Sequence, residues 1–158
     1  MIDGAKTAPF YGGKMQNILE VAIKGYKAEL PVLPLPSGVK IAFFNLHGNT
    51  KMTKHCADEL AKLLDGCEVL LPPAESKGLQ LTHCIADKLG QDFYAVARKS
   101  QKLYMQDGIS VTISSSITTG REQRLYLSKH DAELLRGKKV GIVDDVVSTG
   151  NSLEGLEK

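Results

Sequence analysis

Cysteine is scarce in this chain: Cys56, Cys67 and Cys84 are odd in number and show no Cys-x-x-Cys spacing. That argues against a disulfide framework and reads as reduced thiols in the cytoplasm. The four histidines (His47, His55, His83 and His130) form no His-Glu-x-x-His metal motif. No basic tract is present, and a net charge of +2 with acids and bases interspersed makes neither nucleic acid nor a membrane surface an expected partner. No apolar run approaches a membrane span, and no leader-like stretch is seen, so a cytoplasmic location is expected. Internal repeats, low-complexity segments and linkers are also missing. What remains is 158 residues, 42% hydrophobic and 24% charged, enough for one domain with a sizeable core.

Residues 1–14 are polar and Gly-rich and read as an N-terminal arm. Met15, Ile18, Leu19, Ala22, Ile23 and Tyr26 recur at helical spacing and predict an amphipathic helix. Pro31, Pro34 and Pro36 then break any helix and set an extended connector. The division expected is 1–38 as arm and helix, with the main domain at 39–158. Within that domain, Val39 to Phe44 predicts a strand, and Thr50 or Thr53 caps a helix running to about Leu64. Met52, Cys56, Leu60, Leu63 and Leu64 form the inner face of that helix. Glu68–Leu71 is a short strand ended by Pro72 and Pro73. Leu81, Ile85 and Leu89 mark the next helix, and Phe93–Ala97 the next strand. Two alternating runs, through Val111, Ile113 and Ser115 and through Leu125 and Leu127, predict a hairpin turning at Thr118-Thr119-Gly120. Asp131–Leu135 is a short helix, followed by a last strand at Val140–Val143. Strands alternating with helices predict an α/β fold, a mostly parallel sheet flanked by helices, with an added antiparallel hairpin. Ligands in such sheets bind at the C-terminal strand ends, where loops 72–78, 98–110 and 144–152 emerge.

The most informative stretch follows that last strand. Asp144 and Asp145 sit where the strand must end, because charge is costly in a core. Val146, Val147, Ser148, Thr149, Gly150, Asn151 and Ser152 then form a turn rich in small and hydroxylated residues, with Leu153 and Leu156 starting a helix. Backbone N–H groups of such a turn attract a phosphate, and paired carboxylates accept bonds from vicinal sugar hydroxyls. No Gly-Lys-Ser/Thr is present, so the turn is not a Walker loop. The pattern points to a phosphorylated sugar. Elsewhere, Glu75-Ser76-Lys77-Gly78 lies between a strand and a helix, and Arg98, Lys99 and Lys102 cluster after another strand. By themselves these are solvated loops. On the same sheet edge they equip the far side of the site for a second phosphate group.

Three motifs in this order resemble the type I phosphoribosyltransferases, in the neighbourhood of the adenine and xanthine enzymes. Asp144, Asp145, Thr149, Gly150 and Ser152 match the family's Asp-Asp-x-x-x-Thr-Gly-x-Ser/Thr signature, which holds ribose and the 5-phosphate. Glu75-Ser76-Lys77-Gly78 matches its pyrophosphate loop, and Arg98, Lys99, Lys102 and Leu103 its entry to a flexible catalytic loop. The resemblance implies transfer of ribose 5-phosphate from phosphoribosyl pyrophosphate (PRPP) to a purine base. Asp144, Asp145, Lys77, Arg98 and Lys99 would carry the chemistry, and Mg²⁺ would be held through substrate and water. It also implies a homodimer. Two departures stand out. Ile117-Thr118-Thr119-Gly120 replaces the acidic residue and Tyr-Gly turn usual in adenine enzymes, which leaves room for an oxopurine. The chain also runs only eight residues past Gly150, where family members continue through a helix and a strand, so a piece of a longer protein is expected. A PRPP-binding regulator without catalysis is the alternative, though residues 1–38 carry no helix-turn-helix pattern and no basic stripe.

Overall fold

A two-residue turn at Lys24-Gly25 shapes the first part of the chain. Both residues adopt positive φ, +48° and +87°. That is the backbone twist of a tight hairpin, and glycine meets it without steric cost. The structure, a computed structural model, describes residues 17–73, 76–113, 123–147 and 150–157. It divides into two units, residues 1–44 and 45–158.

The helix expected from Met15 to Tyr26 is instead a hairpin of β1 (Asn17–Ile23) and β2 (Tyr26–Pro34), with β3 (Lys40–Ala42) antiparallel on β2. Apolar residues at helical spacing also satisfied a period of two. Leu19 opposes Leu30, Val21 opposes Ala28 and Ile23 opposes Tyr26, giving one apolar face that a helix would have split. The Lys-Gly pair between two alternating runs was the signal that separates the two readings. Pro31 is part of β2, not of a connector. Its carbonyl accepts from the Phe43 N–H at 2.8 Å, and with no N–H to return it ends the β2–β3 ladder. The strand expected at Val39–Phe44 therefore exists but belongs to this antiparallel sheet.

The second unit holds the parallel strands. In α1 (Thr50–Leu63) the N-cap is Asn49, whose side chain accepts from the Met52 N–H at 3.1 Å, so neither expected threonine caps it. Its buried residues are Met52, Thr53 and Ala57, whereas Leu63, expected on the inner face, is 79% exposed. The stripe is rotated because Thr53 turns inward, its hydroxyl donating to the Asn49 carbonyl at 2.8 Å. Then come β4 (Val69–Leu71), fully buried, and α2 (Leu79–Lys88), which packs on α1 and buries Leu81 and Ile85 as expected. The strand expected at Phe93–Ala97 is not a ladder strand among the described residues. It gives one bond to β4, Ala95 N–H to the Leu70 carbonyl at 3.0 Å.

The hairpin of β5 (Ile109–Ile113) and β6 (Gln123–Leu127) forms as expected, while its turn, with Thr118-Thr119-Gly120, lies outside the described residues. Next is α3 (Lys129–Leu135), capped by Ser128, whose hydroxyl accepts from the Asp131 N–H at 3.1 Å. β7 (Val140–Ile142) pairs with β4 in parallel, Leu71 opposite Ile142, and α4 (Asn151–Leu156) follows. Gly141 is glycine for space, since a Cβ there would stand 2.8 Å from Leu70 Cδ2. Leu71, Ala95 and Ala97 centre a core to which Leu127, Leu134, Leu135, Val140 and Leu156 add. No helix among the described residues is long and apolar enough to cross a membrane.

Candidate functional site

The parallel register of β4 and β7 brings two of the three expected loops to one edge. Pairing continues one step past β7, where the Val143 N–H donates to the Leu71 carbonyl at 3.2 Å. Pro72 and Pro73 then end β4 on its side. Beyond them Ser76 and Lys77 are exposed, and the buried Gly78 begins α2. Beyond Val143 come Asp144 and Asp145, both half-buried, then the exposed Val146 and Val147. The two loops touch: a Cβ on Gly78 would lie 3.1 Å from the Val143 carbonyl oxygen. Glu75, Ser148 and Thr149 lie outside the described residues, as do the side chains of Asn151 and Ser152. Gly150 has φ +81° at the start of α4, a left-handed conformation that favours glycine.

Asp144 folds its carboxylate back on its own loop, Oδ1 accepting the Asp145 N–H at 2.8 Å. Burial pushes the Asp144 carboxyl above its ordinary range, and the Asp145 side chain and charge push the same way against that N–H bond. A carboxyl that resists ionisation in the folded chain weakens folding once it must ionise. Below the unfolded pKa of Asp144 the penalty is absent. It grows as pH rises from there and is complete above the folded pKa. Asp144→Asn, which keeps the acceptor oxygen, should therefore raise Tm at pH 7. The gain should fade as pH falls through the ordinary carboxylate range, and a lower Tm at pH 7 in calorimetry would refute this account.

The third loop is anchored at both ends on β6. Arg98 and Tyr126 exchange backbone bonds of 2.9 and 2.8 Å, while Ile109 opposes Leu127. Residues 99–107 thus leave and return at neighbouring positions, as in an Ω-loop. The Arg98 guanidinium stands 5.9 Å from the centre of the Tyr104 ring, a cation–π contact that spacing arguments missed. Lys99 is exposed and Lys102 half-buried. Leu103, 91% exposed, borders a shallow groove with Gln101, Lys102 and Gln106. Among the described residues no group of three or more His, Cys, Asp or Glu side chains could hold a metal ion.

Residues 45–156 match the family model of the phosphoribosyl transferase domain, starting where the second unit starts. The adenine phosphoribosyltransferase of Thermotoga maritima is 30% identical over 140 residues, 88% of this chain and 77% of that protein. That of Agrobacterium fabrum is 25% identical over 130 residues, 82% and 68% of the two chains. Among solved structures, the adenine phosphoribosyltransferase of Thermoanaerobacter pseudethanolicus aligns with a TM-score of 0.63 at 26% identity, covering 80% of this chain and 72% of that one. The Giardia lamblia enzyme complexed with 9-deazaadenine aligns at 0.62 and 22% identity, covering 80% and 69%, a likeness of fold.

Proposed function

Because the chain belongs to the phosphoribosyltransferase family, we propose that it transfers ribose 5-phosphate from PRPP to a purine in nucleotide salvage, with adenine the favoured acceptor. One observation carries the reading. The parallel register sets the Ser76–Gly78 loop against the residue that precedes Asp144, so groups suited to the two ends of one donor share a sheet edge. The named relatives support adenine, while xanthine and hypoxanthine remain open to the same chemistry.

In this proposal the C1–oxygen bond of the donor breaks, a C1–nitrogen bond to the base forms, and the base nitrogen loses its proton. Asp144 and Asp145 hold the ribose hydroxyls and offset positive charge growing on the sugar. Lys77, Arg98 and Lys99, with Lys102, favour the charge leaving with pyrophosphate, and the Glu75–Gly78 backbone orients it. The turn from Val146 to Ser152 binds the 5-phosphate, and loop 99–107 shields the site from water. Half-buried carboxylate oxygens suit Mg²⁺, which would sit mainly on substrate and water oxygens and neutralise the leaving group. We further propose a homodimer, from the family, and a cytoplasmic location, supported by three unpaired cysteines.

The test is incubation with PRPP, Mg²⁺ and each of adenine, hypoxanthine, guanine, xanthine and orotate, followed by chromatography of nucleotides. Adenosine monophosphate should form fastest. Donor binding without any nucleotide product would refute catalysis and point to a PRPP-binding regulator.

A further inference from the structure

Gly78 is buried where the two donor-facing loops meet, and its backbone gives no conformational reason for glycine. With φ −74° and ψ −17°, it adopts angles open to any residue. The reason is space. A Cβ there would meet the Val143 carbonyl oxygen at 3.1 Å, Pro72 Cβ at 3.4 Å and Pro73 Cδ at 3.9 Å.

None of these surroundings yields easily. On one side, Val143 is nearly fully buried, and its N–H is tied to the Leu71 carbonyl in the last rung of the parallel ladder. On the other, the Gly78 carbonyl accepts both the N–H and the hydroxyl of Thr82, each at 2.9 Å. Thr82 is fully buried, and its helix is seated by Leu81 and Ile85. The Val143 carbonyl belongs to the same peptide group as the Asp144 N–H. A methyl group at position 78 therefore displaces the peptide that leads into the acidic pair, or shifts the start of α2 away from it.

We propose that Gly78 is a positioning residue: its bare Cα, packed on the Val143 carbonyl, sets the separation of the pyrophosphate loop and the ribose-phosphate loop. The proposal rests on the donor reading above. Its consequence is specific. Each loop keeps its own groups for one end of the donor, but the fixed spacing lets one molecule engage both at once. That second engagement is intramolecular, so its advantage depends on geometry and is lost when the span is wrong.

Calorimetry of Gly78→Ala with three probes separates this from local damage. The affinity for PRPP with Mg²⁺ should fall about tenfold or more and by more than that for inorganic pyrophosphate, whose loop contains Gly78, while that for ribose 5-phosphate stays within about twofold. Thr82→Val cuts the hydroxyl tether on Gly78 and leaves the backbone bond. It should show the same selective pattern with a smaller loss, and it serves if Gly78→Ala does not fold. Unchanged PRPP affinity in both variants, or a parallel loss for all three probes, would overturn the positioning role. Wild-type protein that binds no PRPP would instead overturn the donor reading, and the spacing proposal with it.

Discussion

Asp145→Asn should lower kcat about a hundredfold or more while the chain keeps its fold. Asp145 is half-buried one residue beyond Asp144, on the loop that leaves β7. Its backbone N–H is held by Asp144 Oδ1, a bond that the substitution leaves in place. Asparagine retains the size and one acceptor oxygen, replaces the other oxygen by an amide donor and removes the negative charge. If that charge opposes positive charge growing on ribose, the loss appears in kcat, and single electrostatic groups of this kind are worth about 10²–10³ in rate. The pH profile gives a second readout. The Asp145 charge helps hold Asp144 above its ordinary range, so its removal should move the acid limb of kcat/KM to lower pH. Steady-state kinetics with PRPP and adenine, beside circular dichroism of the variant, decide the matter. Wild-type kcat would refute the role.

Gly108→Ala should cost about 2–3 kcal/mol of stability, in the range of overpacked sites. A Cβ there would lie 2.2 Å from the Leu127 carbonyl oxygen and 3.1 Å from that of Met105. Both obstacles are backbone, so no rotamer change relieves them. Leu127 pairs with Ile109 at the start of the hairpin, and Gly108 also gives its N–H to Met105 at 3.1 Å. Relief must therefore come from parting β5 from β6 or opening the turn before β5. The same movement shifts one anchor of loop 99–107, so turnover should fall as well. Urea unfolding followed by circular dichroism reads the stability loss, and an unchanged midpoint would show that the close approach is not a constraint.

Some of this was legible from residue order. Val140–Val143 reads as a buried strand because it is a short apolar run closed by two aspartates, and charge ends a buried strand wherever it falls. Gly90 and Gly137 mark helix ends, and both have positive φ. Ser128 caps α3 through a bond to a residue three positions away, a local signal that the expectation of a helix at Asp131–Leu135 did not use. The Asp-Asp and Thr-Gly spacing, also local, could point to a sugar phosphate. One loop carries its groups in sequence order.

The first hairpin was not legible by helical spacing alone. Residues 15–26 satisfy two periods, and the choice between them lies in pairing with residues 26–34 and in the turn at Lys24-Gly25. Phe93–Ala97 has strand composition, yet its pairing depends on neighbours that only the fold supplies. Chain order by itself pointed to the residues proposed to serve a phosphorylated ribose, because that chemistry resides in residue type and short spacing. Only the tertiary structure decided that Gly78 meets Val143 and that Gly108 meets Leu127. These contacts join segments 65 and 19 residues apart, and a glycine required for space looks in sequence like any other.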